Sequence, residues 1–283
     1  MTISISGDVS SRSIATKRRL GRDTDAVPAW LWGIGVFVAL YLVLPTLFVI
    51  PMSFSEAMNF VFPPRGFTWR LYENFFTMPL WVGSLLNSFV VAAISTGLAT
   101  LVGTAAAIGL SQLHGHAASF IRTILMIPIV TPAIVIATSV YIAFLQWRLV
   151  GSLTGYVLAH AAIATPFVIV AVTSALGTFD RGLLRAASSL GASPFRSFVT
   201  VTMPLISRGV QTGAILAFVT SFDEVVIAVF IRSPSFQTLP VKMYNSVTVE
   251  IDPTVAASSS LIVITVSCIF LAVTIFGLKK KGI

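Results

Sequence analysis

Six runs of mainly apolar residues punctuate the chain, roughly Trp30 to Ile50, Leu85 to Leu110, Ile121 to Leu145, Leu153 to Leu176, Leu205 to Ile231 and Val255 to Leu278. About 20 such residues cross a bilayer as a helix, because each rises about 1.5 Å and every backbone N–H and C=O must be bonded internally. Runs such as Ala29 to Ile50 are apolar on all sides, which is not the alternation of a membrane β-barrel. The pattern predicts an all-α membrane protein, a bundle of six transmembrane helices. The first run is about twice as long as the core of a secretion signal and follows a long polar leader, so it reads as an uncleaved anchor.

Composition narrows the class. Of 283 residues 56% are apolar and only 10% charged, with a mean hydropathy of +0.94, whereas soluble proteins carry about a quarter charged residues. The formal charge of +8 would suit nucleic acid in a soluble domain, but so few charges cannot keep so apolar a chain dispersed, and the bilayer is the expected partner. A single cysteine, Cys268, excludes a disulfide framework or a Cys-based metal site within one chain.

The basic residues set the orientation. Arg12, Lys17, Arg18, Arg19, Arg22, Arg122, Arg181, Arg185, Arg196, Arg208, Lys279, Lys280 and Lys281 fall on one side, against Arg65, Arg70, Arg148, Arg232 and Lys242 on the other. The positive-inside rule then places both termini in the cytoplasm. Residues 1–28 read as a disordered basic tail near anionic headgroups, 29–279 as the transmembrane domain, and 280–283 as a short basic tail. The outer connection, residues 53 to 84, holds Phe67, Trp69, Tyr72, Phe75, Phe76 and Trp81. That aromatic density suits the headgroup level or a contact with an external partner.

The inner connection, about 179–204, is the most informative stretch. Asp180 is placed to cap a short helix, Gly191 to stop it, Ser193 to cap a second, and Pro194 to occupy its first turn, with Phe195 to Met203 adding a turn or two before Pro204. Leu183, Leu184, Ala187 and Leu190 give the first piece an apolar face, and Ala186, Ala187 and Ala192 keep the surface low enough for close approach. Helix, bend and helix describe either a docking knob or an amphipathic helix resting on the membrane.

The ordered residues Arg185-Ala186-Ala187, Gly191 and, nine residues on, Val201-Thr202-Met203-Pro204 resemble the cytoplasmic signature of binding-protein-dependent ABC importer permeases. That signature reads Glu-Ala-Ala, three residues, Gly, nine residues, Ile, one residue, Leu-Pro. Arg185 stands where it has glutamate, which reverses the local charge. Ser221-Phe222-Asp223-Glu224, Gln237-Thr238-Leu239-Pro240 and Asp252-Pro253-Thr254 look like the spermidine/putrescine branch. The resemblance implies a type I importer permease bundle in a bacterial inner (plasma) membrane. It further implies a second permease subunit, two ATPases that bind ATP and Mg, an extracytoplasmic binding protein, and a path between the permeases opened alternately to each side. It assigns the ATPase contact to Arg185, Ala186, Ala187, Gly191, Ala192 and Pro204, with Phe195 and Phe198 as apolar plugs.

Asp223 and Glu224 are adjacent acids inside the fifth run, where a carboxylate near the bilayer centre costs about 2.5 kcal/mol or more. Carboxylates replace part of an ammonium's hydration shell, so these two are the expected contacts for a cationic solute. Consecutive helix positions diverge by about 100°, so one is expected to line a path while the other pairs within the protein. Asn87 joins them as a path residue, with Ser88, Thr104, His160 and Thr165 more easily read as helix-to-helix bonds. Pro128, Pro132 and Pro166 predict bends, and Gly97 and Gly103 close packing.

No G-x-x-x-x-G-K-[ST] or H-E-x-x-H occurs, so neither P-loop ATP hydrolysis nor zinc hydrolysis is expected of this chain. His114 and His116 read as solvated. The chain is read as a transport subunit without cofactor or metal, not an enzyme. The competing reading is a self-contained secondary carrier using Asp223 or Glu224 as a proton or cation site, against which stands the expectation of unbroken helices.

Overall fold

A computed structural model describes residues 28–57, 62–178, 180 and 182–280. The basic tail expected over 1–28 and the terminus 280–283 fall almost wholly outside the described residues. The described residues are helical apart from loops and one isolated bridge, Ser233 to Phe236. The helices are α1 (Ala29–Met52), α2 (Arg70–Thr77), α3 (Pro79–Gln112), α4 (Gly115–Val130), α5 (Ala133–Gln146) and α6 (Leu153–Gly177). They continue as α7 (Gly182–Ser189), α8 (Pro194–Ser197), α9 (Met203–Phe222), α10 (Val226–Ile231), α11 (Leu239–Thr248) and α12 (Thr254–Lys280).

Two compact units emerge, one of residues 1–52 with 259–283 and one of residues 53–258. In the first, α1 exposes apolar side chains from Trp30 to Phe48, as a helix made to meet lipid or another subunit does.

The second unit is built on three long helices. Ala99, Ala107 and Leu110 of α3, Ala161, Ala164, Val168, Ile169 and Val172 of α6, and Ile206 and Ala217 of α9 form one buried cluster. Small residues let these backbones approach. A Cβ on Gly103 would stand 2.7 Å from the Val168 Cβ, and one on Gly213 3.0 Å from the Val168 Cα, so Val168 is held between two glycines. Gly97 plays no such part: it is exposed and nothing lies within 4 Å of its missing Cβ. A second cluster joins α5, α6, α10 and α11 through Phe144, Tyr156, Ile227, Ile231 and Val241.

Three predicted spans differ in detail. The run Ile121 to Leu145 is a pair, α4 and α5, bent by 100° at Thr131 and Pro132; Pro132 ends α4 because the residue before a proline is driven out of the helical region. Pro166, by contrast, is carried inside the single helix α6. The run Leu205 to Ile231 stops at Phe222 and resumes as the short α10. Pro204 does not end its helix either. A π turn over Phe198–Thr202, in which the Met203 amide reaches the Phe198 carbonyl, joins α8 to α9. The wider turn relieves the clash a proline ring makes with the carbonyl four residues back. By length and composition four described helices can cross a membrane, five if α4 and α5 count as one span, so these criteria do not reach the expected six. Broken segments are present, and the expectation of unbroken helices is corrected.

Candidate functional site

The break between α9 and α10 gathers the acidic residues of the fifth run. Asp223 closes α9 with helical angles and an exposed side chain. Glu224 turns the other way. Its Oε1 accepts from the Ile227 amide and its Oε2 from the Ala228 amide, both at 2.9 Å, and its side chain is only 8% exposed. The carboxylate thus satisfies two of the orphan amides of α10. Glu224 is therefore the acid that pairs within the protein while Asp223 is exposed, and a helix break, not the 100° step of a continuous helix, sets them apart.

His160 of α6 anchors the same break. Its Nδ1 lies 3.0 Å from both the carbonyl and the hydroxyl of Ser221, and its Nε2 stands 3.9 Å from Glu224 Oε2. One turn before, the Tyr156 hydroxyl donates to the Ala228 carbonyl at 3.2 Å. Both ends of the break are therefore tied to α6. On the other side of α9, Phe218 and Phe222 pack with Phe89 of α3, the Phe89 and Phe222 rings 5.2 Å apart. Asp223 follows directly on this aromatic patch.

Beyond the break, one end of the unit has a polar interior. Lys242 of α11 is 3% exposed; its Nζ lies 2.5 Å from Glu250 Oε2, 4.0 Å from Asp252 Oδ2 and 5.2 Å from the Trp81 ring centre. The Trp81 indole donates to Asp252 Oδ2 at 3.1 Å. Ion pair, cation–π contact and hydrogen bond together compensate a buried ammonium. Asn87 donates to the Gln237 carbonyl at 3.1 Å, Ser88 accepts from the Leu239 amide at 2.7 Å, and Arg232 donates to Asn245. Asn87 is thereby a tether between α3 and the segment leading into α11. This network was missed by sequence reasoning, which counted Lys242 and Arg232 only as loop charges. The polar residues Gln237 and Asp252 are the local signal of it along the chain.

At the end of the unit bearing α7, the knob has the expected local chemistry. Asp180 Oδ1 accepts from the Gly182 amide at 2.7 Å. Gly191 has φ +82, a left-handed value that a glycine adopts without strain, and the Ala192 amide returns to the Ala187 carbonyl at 3.1 Å. Ser193 accepts from the Arg196 amide at 3.3 Å, with Pro194 behind it. Arg185, Ala186, Leu190 and Phe195 are exposed; Leu184, Ala187, Ala192 and Phe198 are half-buried. The outer face of α7 therefore carries a charge and serines beside an apolar row of Leu183, Ala186 and Leu190. Phe179 and Arg181 lie outside the described residues. No group of three or more His, Cys, Asp or Glu side chains able to hold a metal occurs among the described residues.

The knob and the break both lie within a stretch, residues 99–279, that matches the model of a family described as binding-protein-dependent transport system inner membrane component. The chain is 31% identical over 243 residues to the spermidine/putrescine transport system permease protein PotC of Escherichia coli (strain K12), covering 86% of this chain and 92% of that protein. It is 28% identical over 229 residues to the putrescine transport system permease protein PotI of the same strain, covering 78% and 81%. Its fold is similar, with a TM-score of 0.64 at 16% identity over 98% of this chain and 99% of the other, to a chain of a bacterial ABC transporter involved in the import of the acidic polysaccharide alginate. With more than half of its length in that family model and close likeness to PotC over most of the rest, the chain belongs to the binding-protein-dependent transport system inner membrane components, multi-pass proteins of the bacterial inner membrane.

Proposed function

We propose that this chain is one permease subunit of an ATP-driven importer of polyamines, or of a related small organic cation, with six spans and both termini in the cytoplasm. It pairs with a second, different permease, two ATPase subunits that bind ATP and Mg, and an extracytoplasmic binding protein. The knob over 180–204 is the joint to the ATPase: capped on both limbs, it transmits push and pull as a rigid body. The π turn makes α8 and α9 one continuous lever from that joint to the break at Asp223. Movement of the knob thereby reaches the acids directly.

The observation that carries the reading is the division at the break. Glu224 is withdrawn to hold α10, which leaves Asp223, exposed and directly following Phe222 of the Phe89, Phe218 and Phe222 patch, as the group that meets an ammonium. A carboxylate and ring faces together offset the loss of its water shell. Asn87 stands at the path as the residue fixing the α11 segment. Family membership disfavours the self-contained carrier.

The test is reconstitution of the chain with its partner permease, ATPase and binding protein in vesicles loaded with ATP. Labelled spermidine or putrescine is expected to be taken up only with all components and hydrolysable ATP present. Uptake by this chain without an ATPase would overturn the proposal.

A further inference from the structure

The knob is lopsided in charge. From Asp180 to Arg208 the chain holds the four arginines 181, 185, 196 and 208 against one acid, Asp180, and that acid is engaged by the Gly182 amide. Neither Arg185 nor Arg196 has an ion-pair partner among the described residues. Between them Leu190 is 87% exposed, more than any other large apolar residue described, and Phe195 is 77% exposed. Two large apolar side chains held out from a capped turn, beside unpaired guanidinium groups, form a surface built for a groove with a complementary rim.

A membrane surface fits less well. A helix lying on lipid buries one continuous apolar stripe and keeps its arginines at the edges. Here the exposed face of α7 sets Leu183, Ala186 and Leu190 beside Arg185, Ser188 and Ser189, while Leu184 and Ala187, which would widen the apolar row, are half-buried. The exposed face is thus shared between a narrow apolar row and polar residues, with Arg185 among them, and the rest of the apolar set is turned inward.

We infer that the ATPase groove receiving Leu190 and Phe195 presents carboxylates opposite Arg185, and that this pair decides which ATPase the permease accepts. The inference rests on the reading of the knob as the ATPase joint. Because Arg185 stands where the resembling signature carries glutamate, a groove made for glutamate is the wrong sign for this chain. Like charges brought together at an interface cost more than one exposed ion pair contributes. Charge therefore acts here mainly by exclusion.

The experiment co-expresses the full importer, tags this chain, places the complex in nanodiscs and measures how much ATPase is retained at low and at physiological salt. Arg185→Lys is expected to retain the ATPase as the native chain does. Arg185→Gln is expected to lose about twofold to threefold, and Arg185→Glu about tenfold, equivalent to about 1.4 kcal/mol, with the Gln loss vanishing as salt rises. Equal amounts of each variant in the membrane, with the same size-exclusion profile, show that folding is intact. Retention by Arg185→Glu equal to or above that of the native chain overturns the inference. So does a charge effect present only in nanodiscs containing phosphatidylglycerol, which would assign Arg185 to the lipid. Failure of the native chain to retain any ATPase would instead overturn the proposed function.

Discussion

Two breaks interrupt the membrane segments of this protein, and they are made by different chemistry. At Thr131 and Pro132 the backbone itself forces the bend: Pro132 carries no amide hydrogen, α4 ends with the Thr131 amide on the Ile127 carbonyl, and α5 starts afresh. No residue of α4 is fully buried, and an open cavity of 680 Å³ lies along it, lined by Arg122, Met126 and Pro132 among others. At Asp223 to Val225 no proline is present. A side chain makes that break, with Glu224 supplying acceptors for α10 while His160, Ser221 and Tyr156 fix both ends. The first bend is cheap to alter and open to neighbours; the second is held by a buried polar network.

Substitutions can break this contrast. Glu224→Ala should have the largest effect, removing two charge-assisted hydrogen bonds to buried amides, each contributing about 1.5 kcal/mol or more; thermal unfolding in detergent is expected to fall clearly, with loss of ATP-driven uptake. A variant of native stability would show that α10 does not depend on the carboxylate. Gly213→Val comes next. It drives a side chain into Val168, and overpacking of this kind costs about 1 to 3 kcal/mol; the same change at the exposed Gly97, measured alongside, should cost far less.

Pro132→Ala is expected to change stability by under about 1 kcal/mol, because α4 has no fully buried residue and only Leu125 and Met126 pack partly against the core. Cysteines placed on α4 and α5 for distance measurement should report straightening instead. Asp223→Asn should have the smallest effect on stability, within about 0.5 kcal/mol as for other exposed positions, yet it should lower uptake at equal surface expression. Normal uptake would remove Asp223 from the path.

The same contrast explains what could be read along the chain. Pro132 is a local signal, and so are Asp180, Gly191, Ser193 and Pro194 in the knob; each acts within a few residues, and the structure places each as expected. The break at Glu224 is made with partners on α6, His160 lying 61 residues from Ser221. A run of apolar residues conceals it, and Leu205 to Ile231 therefore looked like one span. Pro166 and Pro204 show the converse, since both sit within helices, one tolerated in α6 and the other absorbed by the π turn.

By itself the sequence determined that this chain lives in a membrane, where its helical runs lie, and the caps and turn of the knob, because burial in lipid and capping depend on near neighbours. Only the tertiary structure decided that Glu224 turns inward while Asp223 stays out, that Lys242 is enclosed by Trp81, Glu250 and Asp252, and that Gly103 rather than Gly97 admits a neighbour. Those outcomes depend on which distant helix arrives beside each residue. Trp81 and Asp252, 171 positions apart, share a hydrogen bond that no local pattern along the chain records.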